Sequence, residues 1–176
     1  MVDLHSGEDG SLLVLSTTII WIPKAIYEQN CREANARFPV ETGGAFMGYW
    51  ANNQVVITAS IEAGPNATHR RYSFEPDYEW QHAQITKHYN GSGRLETYLG
   101  DWHSHPDGLS GNLSWQDKQA LRRVAMTPAA RAPNPISIIF YGEPDHWSTS
   151  AWCAKIVPRK IIWSSLDASK VDLNFY

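Results

Sequence analysis

The chain has 176 residues, of which 43% are hydrophobic and 19% are charged, and its formal net charge is −3. These values are typical of a globular domain with a sizeable core, and the slightly acidic balance argues against a nucleic-acid partner. No apolar run approaches the roughly 20 residues that span a bilayer, so we expect no membrane contact. The N-terminus lacks a signal-peptide pattern, and Cys31 and Cys153 form no disulfide framework, so we expect a cytoplasmic protein.

Hydrophobic periodicity and turn residues predict an interleaved series of strands and helices. We expect a flexible N-terminus over residues 1–11 and one domain over residues 12–176. Strands are predicted over 12–21, 40–50, 54–63, 70–74, 97–103, 136–141 and 147–157, with a further candidate strand after Ile161. Helices are predicted over 23–37, 76–89 and 115–126. This order predicts an α/β (α+β) fold with a mixed central β-sheet flanked by helices.

Residues 103–117 carry the most specific chemical pattern, His-Ser-His-Pro-Asp-Gly-Leu-Ser-Gly-Asn-Leu-Ser-Trp-Gln-Asp. Side chains alternate along a strand, so His103 and His105 point to the same face. Asp117 follows Ser114, the expected N-cap of the third helix, by one helical turn, so the two lie side by side. A lone histidine would more often be structural, but two imidazoles and a carboxylate form a three-ligand metal site. Three protein ligands leave the fourth position of a tetrahedral zinc open, as catalytic sites require.

A zinc hydrolase also needs a base close to the attacking water, and Glu41 is the leading candidate. It opens the segment Glu41-Thr42-Gly43-Gly44, in which the glycines would let this strand pack tightly beside the histidine strand. By itself Glu41 would be interpreted as an exposed glutamate at a strand end. The predicted metal ligands favour the role of a base.

The segments Glu-Thr-Gly-Gly at 41–44, His-Ser-His-Pro at 103–106 and Ser-x-x-Asp at 114–117 together resemble the JAMM/MPN family of zinc metalloproteases, especially its compact prokaryotic members. The resemblance covers about residues 12–157. It implies a single JAMM/MPN-like domain of cytidine-deaminase-like architecture. It also implies that His103, His105 and Asp117 bind Zn²⁺, that Glu41 is the general acid/base, and that the Ser114 hydroxyl stabilises the tetrahedral oxyanion.

The loop between the second histidine and the serine departs from this family pattern. It holds eight residues, Pro106 to Leu113, which is one more than the pattern has, and Gly108 and Gly111 are flexible enough to absorb the addition. We interpret Asp107 as a turn residue. Ser110 does not replace Ser114, because position 113 is leucine rather than aspartate.

The resemblance implies an isopeptidase or peptidase that cleaves after the C-terminal tail of a ubiquitin-like protein, in deconjugation or precursor maturation. The small chain is similar to the stand-alone proteases of bacterial antiphage operons, so the expected partners are the ubiquitin-like substrate, its conjugates, and E1- and E2-like enzymes. Two alternatives stay open. One is a metal-free MPN scaffold subunit, and the other is a JAMM peptidase acting on a sulfur-carrier protein or a cell-wall peptide.

Two further features have simple interpretations. The basic cluster His69, Arg70 and Arg71 is predicted to be a solvated loop. Core packing is the default for Trp102 and Trp115, although Trp115 directly follows Ser114 and is a candidate to line a substrate groove. A cytidine-deaminase site is not expected, because its His-x-Glu and Pro-Cys-x-x-Cys motifs are absent.

Overall fold

The structure is a computed structural model that describes residues 18–159 and 163–176. The predicted flexible N-terminus over residues 1–11 and most of the predicted first strand lie outside the described residues. The helices are α1 (Lys24–Arg37), α2 (Tyr78–Gly91) and α3 (Trp115–Ala125), with a short 3-10 helix at Pro128–Ala130. The strands are β1 (Ile19–Ile22), β2 (Gly43–Ala51), β3 (Gln54–Ile61), β4 (Thr68–Arg70), β5 (Ser73–Glu75), β6 (Thr97–Pro106), β7 (Ile136–Glu143), β8 (His146–Arg159) and β9 (Trp163–Phe175). Within the two described ranges, no helix has the length and apolar character needed to cross a membrane.

Seven of the described strands form one closed, mixed sheet in the order β1-β3-β2-β6-β7-β8-β9. β1 pairs in parallel with both β3 and β9, and β6 pairs in parallel with β7, while the other neighbours are antiparallel. β4 and β5 form a separate two-stranded unit, called the β4–β5 hairpin below. The predicted α/β class with a mixed sheet is confirmed, whereas hydrophobic periodicity does not predict that the sheet closes.

β7 contributes side chains to two separate cores. Ile136, Ile138 and Phe140 belong to the main core, while Ile139, one residue out of phase, belongs to a second core. Strand side chains alternate between faces, so β7 serves both cores at once. The main core also contains Ile20, Ile22, Phe46, Val55, Ile57, Leu99, Trp102 and Ala151, with Ile26, Tyr27 and Cys31 of α1 packed against it. The second core receives Leu121 of α3, so α1 and α3 cover opposite faces of β7.

The segment predicted as a single strand over residues 70–74 is instead a hairpin, so this prediction is wrong. β4 ends at Arg70 and β5 begins at Ser73, and these two residues pair across a turn formed by Arg71 and Tyr72. Alternating polar and aromatic residues fit two short strands as well as one longer strand, so the pattern alone does not reveal the reversal.

β9 is longer than the sequence indicates. Its 13 residues pair with β8 from Arg159↔Trp163 to Ala151↔Val171, although small and polar residues dominate the segment. Leu166 and Ala168 pack against the second core, while Asp167 between them is exposed. Pairing with β8, rather than hydrophobicity, therefore makes this segment a strand. The remaining predicted strands and helices that are fully described agree with the structure to within three residues at each end.

Candidate active site

Three side chains from β6 and α3 converge at the end of β6. His103 and His105 lie on the same face of this strand, and Asp117 lies in the first turn of α3. Their potential ligand atoms all lie within 4.8 Å of one another. His103 Nε2 lies 2.9 Å from His105 Nε2 and 3.3 Å from Asp117 Oδ1. The structure thus brings the three predicted metal ligands together.

A reciprocal N-terminal cap places Asp117 at this point. The Ser114 Oγ accepts a hydrogen bond from the Asp117 backbone N–H at 3.1 Å. The Asp117 Oδ2 accepts one from the Ser114 backbone N–H at 2.7 Å. This capping box satisfies amides that the first helical turn would otherwise leave unpaired, and it leaves Asp117 Oδ1 directed at His103.

The geometry of the three ligands fits a divalent ion such as zinc. Two ligand atoms each about 2.0 Å from a tetrahedral zinc ion lie about 3.3 Å apart. The observed separations of His103 Nε2 from its two neighbours, 2.9 and 3.3 Å, are close to this value. His105 Nε2 and Asp117 Oδ2 are 3.9 Å apart, and the three side chains are 15–21% exposed, so solvent can reach the cluster. These residues can therefore hold a metal and leave room for a further ligand.

Glu41 lies beside this cluster because β2 packs very closely against β6. Gly43 pairs with His103, and a β-carbon at Gly43 would collide with the backbone of β6. The Ser104 N–H donates to the Thr42 carbonyl at 2.8 Å, which continues the contact towards Glu41. Glycine is needed for this approach, as the sequence predicts.

The environment of Glu41 suits a group that accepts and returns protons. Burial raises the pKa of Glu41 to about 7, while the nearby His103 lowers it and Asp117 raises it. These two influences show that the carboxyl group lies within electrostatic range of the cluster. A carboxyl group that titrates near neutral pH can act both as a base and as an acid.

The three ligand side chains differ in how their surroundings shift their pKa values. Burial would raise the pKa of Asp117, but hydrogen bonds from His103 and Ser114 and the charge of His103 lower it overall. Burial and the charge of His103 lower the pKa of His105 to about 4. Asp117 is therefore ionised and His105 neutral at pH 7, which are the forms that bind metals. Burial lowers the pKa of His103, but its hydrogen bond to Asp117 and the charge of that carboxylate raise it overall, so a metal has to displace a proton from His103.

The loop between β6 and α3 orients His105. The His105 ring is hydrogen-bonded to the backbone of Ser110, while its Nε2 faces His103. A contact of this kind fixes the tautomer and the orientation of a ligand histidine. The loop is anchored in turn by Trp152, whose Nε1–H donates to the Gly111 carbonyl at 2.8 Å.

Asp107 turns the chain at the start of this loop. Its φ is 56°, a left-handed conformation that aspartate adopts more readily than most residues, which confirms its interpretation as a turn residue. Gly108 and Gly111 are not among the residues with positive φ. Gly111 is needed for space instead, because a β-carbon there would lie 2.6 Å from Ser150 Cβ.

Residues 23–154 match the family described as prokaryotic homologs of the JAB domain. The chain belongs to this family. It is 40% identical over 159 residues to "Probable metalloprotease y4qB" of Sinorhizobium fredii (strain NBRC 101917 / NGR234), covering 90% of this chain and 97% of that protein. The solution structure of protein DSY2949 from Desulfitobacterium hafniense has a similar fold, with a TM-score of 0.64 and 17% identity over 90% of this chain and 93% of that chain. These comparisons confirm the JAMM/MPN resemblance and support a hydrolase of the peptidase class.

In this JAB domain the β4–β5 hairpin holds the backbone of Glu41. The Glu41 N–H donates to the Arg70 carbonyl at 2.8 Å, and the ring Nδ1 of His69 lies 3.0 Å from the Glu41 carbonyl oxygen. The prediction of a solvated loop is therefore wrong for His69, which is partly buried in β4. Arg71 does lie in an exposed turn, but its side chain also donates to the Pro39 carbonyl near Glu41. These contacts are tertiary, and a short basic cluster in the sequence does not indicate them.

A partly buried carboxyl group of the JAB domain, that of Asp101, lies on the same strand face as the two histidines. Burial raises the pKa of Asp101 to about 6, although the Tyr98 hydroxyl, 2.8 Å away, and His103 both lower it. A carboxylate close to a ligand histidine commonly sets the orientation and basicity of that ligand. Side chains two residues apart in a strand lie on the same face, and Asp101 lies two residues before His103. This spacing is the sequence signal that identifies Asp101.

Large apolar side chains are exposed on three elements that border the site. Tyr72 at the turn of the β4–β5 hairpin is 83% exposed, Leu109 in the β6–α3 loop is 99% exposed, and Trp115 at the start of α3 is 72% exposed. Trp102, in contrast, is only 2% exposed, as expected for a core residue. The default expectation of core packing is thus wrong for Trp115, which lies on the exposed side of the first turn of α3.

Proposed function

We propose that this JAB domain is a zinc-dependent isopeptidase or peptidase that cleaves after the C-terminal tail of a ubiquitin-like protein, in deconjugation or precursor maturation. The observation that carries the proposal is the placement of Glu41, with its pKa raised to about 7, beside the three convergent ligands. A metal-ligand set with an adjacent acid/base is the arrangement that amide hydrolysis needs.

Each site residue has a distinct part in this proposal. His103, His105 and Asp117 bind Zn²⁺, which when bound polarises the scissile carbonyl and lowers the pKa of water. Glu41 takes a proton from the attacking water and returns it to the leaving amine, so no net proton is gained or lost. The Ser114 Oγ already accepts a hydrogen bond from the Asp117 amide, so its own proton is available to donate to the oxyanion.

The surface around the site supports a protein substrate with an extended tail. Tyr72, Leu109 and Trp115 expose apolar side chains from three different elements. Exposed apolar side chains beside a polar site are typical of protein contact surfaces. An extended tail that lies along a strand near the site would add main-chain hydrogen bonds, as in other complexes formed by β-augmentation.

The proposed partners are the ubiquitin-like protein, its conjugates, and E1- and E2-like enzymes of the same bacterial antiphage operon. The motif resemblance to compact prokaryotic members supports this context, while the 40% identity to a bacterial protein named as a probable metalloprotease supports the protease activity alone. A cytoplasmic location is part of the proposal, and the free thiols of Cys31 and Cys153 are compatible with it.

The test is cleavage of two substrates, one with the tail fused linearly to a reporter protein and one with the tail joined to a lysine side chain. We expect the zinc-loaded protein to cleave at least one of them. Glu41→Gln and Ser114→Ala should each lower kcat/KM by about 10²- to 10³-fold. Glu75→Gln alters an exposed carboxylate of the β4–β5 hairpin and serves as the matched control, which should keep its activity.

Metal analysis of the purified protein complements the cleavage assay. We expect stoichiometric zinc in the wild-type protein and its loss in His105→Ala. Equal cleavage by wild type and Glu41→Gln would contradict the acid/base role. A wild-type protein without stoichiometric zinc would favour the metal-free scaffold. Cleavage of sulfur-carrier or cell-wall substrates, without cleavage of ubiquitin-like tails, would favour the other substrate class.

A further inference from the structure

The geometry points to Arg71 as a positioning residue that fixes Glu41 opposite the metal ligands by joining the ends of β2 and β6. This inference deepens the proposed function and rests on it for the role of Glu41. Arg71 acts through backbone segments and one carboxylate rather than through the reacting atoms.

β2 and β6 stop pairing at the active site. Their last ladder pair joins Gly43 to His103, one more backbone hydrogen bond joins the Ser104 N–H to the Thr42 carbonyl, and extension of the same register places Glu41 opposite His105. Neither residue continues the ladder, because the Glu41 N–H donates to the β4–β5 hairpin and the His105 carbonyl accepts from the loop after β6. The acid/base and a ligand thus face each other across a gap, and contacts other than the ladder must set the width of that gap.

Arg71 bridges this gap two residues beyond Glu41. The extended register places Pro39 opposite Asp107. Arg71 Nη1 donates to the Pro39 carbonyl at 2.8 Å, and its Nη2 forms an ion pair with the Asp107 carboxylate. A guanidinium group is a planar fork with donors on both sides, so a single side chain can replace the missing ladder bonds.

Both ends of this bridge are anchored to the rest of the fold. The Asp107 N–H donates to the Gly142 carbonyl at 2.7 Å, which ties the loop after β6 to β7. At the other end, the β4–β5 hairpin that carries Arg71 contacts both backbone groups of Glu41, at 2.8 and 3.0 Å. Movement of the hairpin would therefore move Glu41, whereas the ligands are held by β6 and α3.

Hydrogen exchange of the Glu41 amide is the first measurement, and it requires neither metal nor substrate. Arg71→Ala should speed this exchange about tenfold, because the hairpin that protects the amide loses its tether. Arg71→Lys should give an intermediate exchange rate, because an ammonium group lacks the planar set of donors that lets Arg71 reach both Pro39 and Asp107. Glu75→Gln is the matched control, because it breaks the 3.7 Å ion pair with Arg70 in the same hairpin and should leave the rate unchanged.

Steady-state kinetics of the zinc-loaded protein are the second measurement. Arg71→Ala should lower kcat about 10- to 100-fold while KM and zinc affinity change by less than about threefold, because Glu41 is displaced and the ligands are not. Asp107→Gly removes the carboxylate yet tolerates the left-handed conformation at this position. The double variant Arg71→Ala/Asp107→Gly should lower kcat little more than either single variant does, because both changes break the same bridge.

An unchanged exchange rate of the Glu41 amide in Arg71→Ala would overturn the inference. A loss of zinc affinity that parallels the loss of kcat would also overturn it, because Arg71 would then act on the ligands. A wild-type protein that hydrolyses no substrate would contradict the proposed function alone, since amide exchange would still decide whether Arg71 holds Glu41 in place.

Discussion

The carboxyl group of Glu41 occupies an environment that favours proton transfer over stability. Burial is the main reason that its pKa rises from 4.5 to about 7. Between these pH values the folded chain keeps a proton that the unfolded chain releases, so the stability contributed by Glu41 is complete below about pH 4.5 and is lost as the pH rises to 7. A pKa shift of this size corresponds to about 3 kcal/mol of unfolding free energy without solvent screening, and to about 1–2 kcal/mol when screening is included.

Glu41→Gln should therefore stabilise the metal-free protein at pH 8 by about 1–2 kcal/mol and have little effect at pH 5, where wild-type Glu41 is already mostly protonated. Denaturant unfolding in the presence of a chelator at both pH values measures the difference. Glu75→Gln, at an exposed position, should show no such dependence on pH. A Glu41→Gln effect of the same size at both pH values would contradict the raised pKa.

The residues of the candidate site differ in how far the sequence predicts them. The histidine pair, the Ser-x-x-Asp element and the Glu41 segment belong to short motifs, whose geometry follows from strand alternation and helix capping. The contribution of Arg71 depends on which strands fold beside its hairpin, and that information is absent from the local pattern. Asp101 lies between these cases, because strand alternation places it on the ligand face but does not reveal its burial.

At the scale of elements, packing at Gly111 holds the loop between β6 and α3. Gly111→Ala should lower the free energy of unfolding by about 1–3 kcal/mol, because the added β-carbon meets Ser150 at 2.6 Å. It should also weaken zinc binding, since the same loop carries the Ser110 backbone contact with His105. Denaturant unfolding and a zinc titration measure the two effects.

Gly91→Ala is the control for this experiment. Gly91 lies at the end of α2, and an added β-carbon there meets nothing within 4 Å. The change should be neutral or stabilise the protein by up to about 1 kcal/mol, because alanine favours the helix. Equal destabilisation by Gly111→Ala and Gly91→Ala would show that conformational freedom, rather than packing, is what the loop requires.

The sequence predicts the elements that have clear start and stop residues and misses those that depend on a partner. Pro23 and Pro39 bracket α1, Ser114 begins α3, and Asn90 to Gly93 mark the end of α2, so the bounds of the helices are nearly right. The β4–β5 hairpin has strands of three residues each, too short to show a period. β9 has few apolar residues and becomes a strand through its pairing with β8.

At the scale of the whole molecule, a bound metal would join two elements that otherwise meet through side-chain packing and hydrogen bonds. We expect zinc at 100 times its dissociation constant to add about 2.7 kcal/mol and to raise Tm by roughly 5–10 °C, because it binds the folded state. The apolar cores contain none of the ligands, so chelation should lower Tm without unfolding the protein at 25 °C.

Asp117→Asn is the matched variant for this measurement. An asparagine oxygen can still accept the hydrogen bond from the Ser114 amide, so the capping box is kept while the anionic ligand is lost. The zinc-dependent rise in Tm should be much smaller in Asp117→Asn. A rise equal to that of wild type would place the metal elsewhere on the molecule.

The closed sheet has a consequence for the order in which the protein folds. β1 pairs with β9 through Ile19↔Asp172 and Ile22↔Phe175, so the contact that completes the ring joins segments near opposite ends of the chain. The entropy of closing so long a loop makes this contact late and slow to form. During synthesis β1 has to wait for β9, and until then the unpaired edge is open to the strands of other molecules. The interval before ring closure is thus when a nascent chain is most exposed to aggregation, and faster elongation through β9 should shorten it.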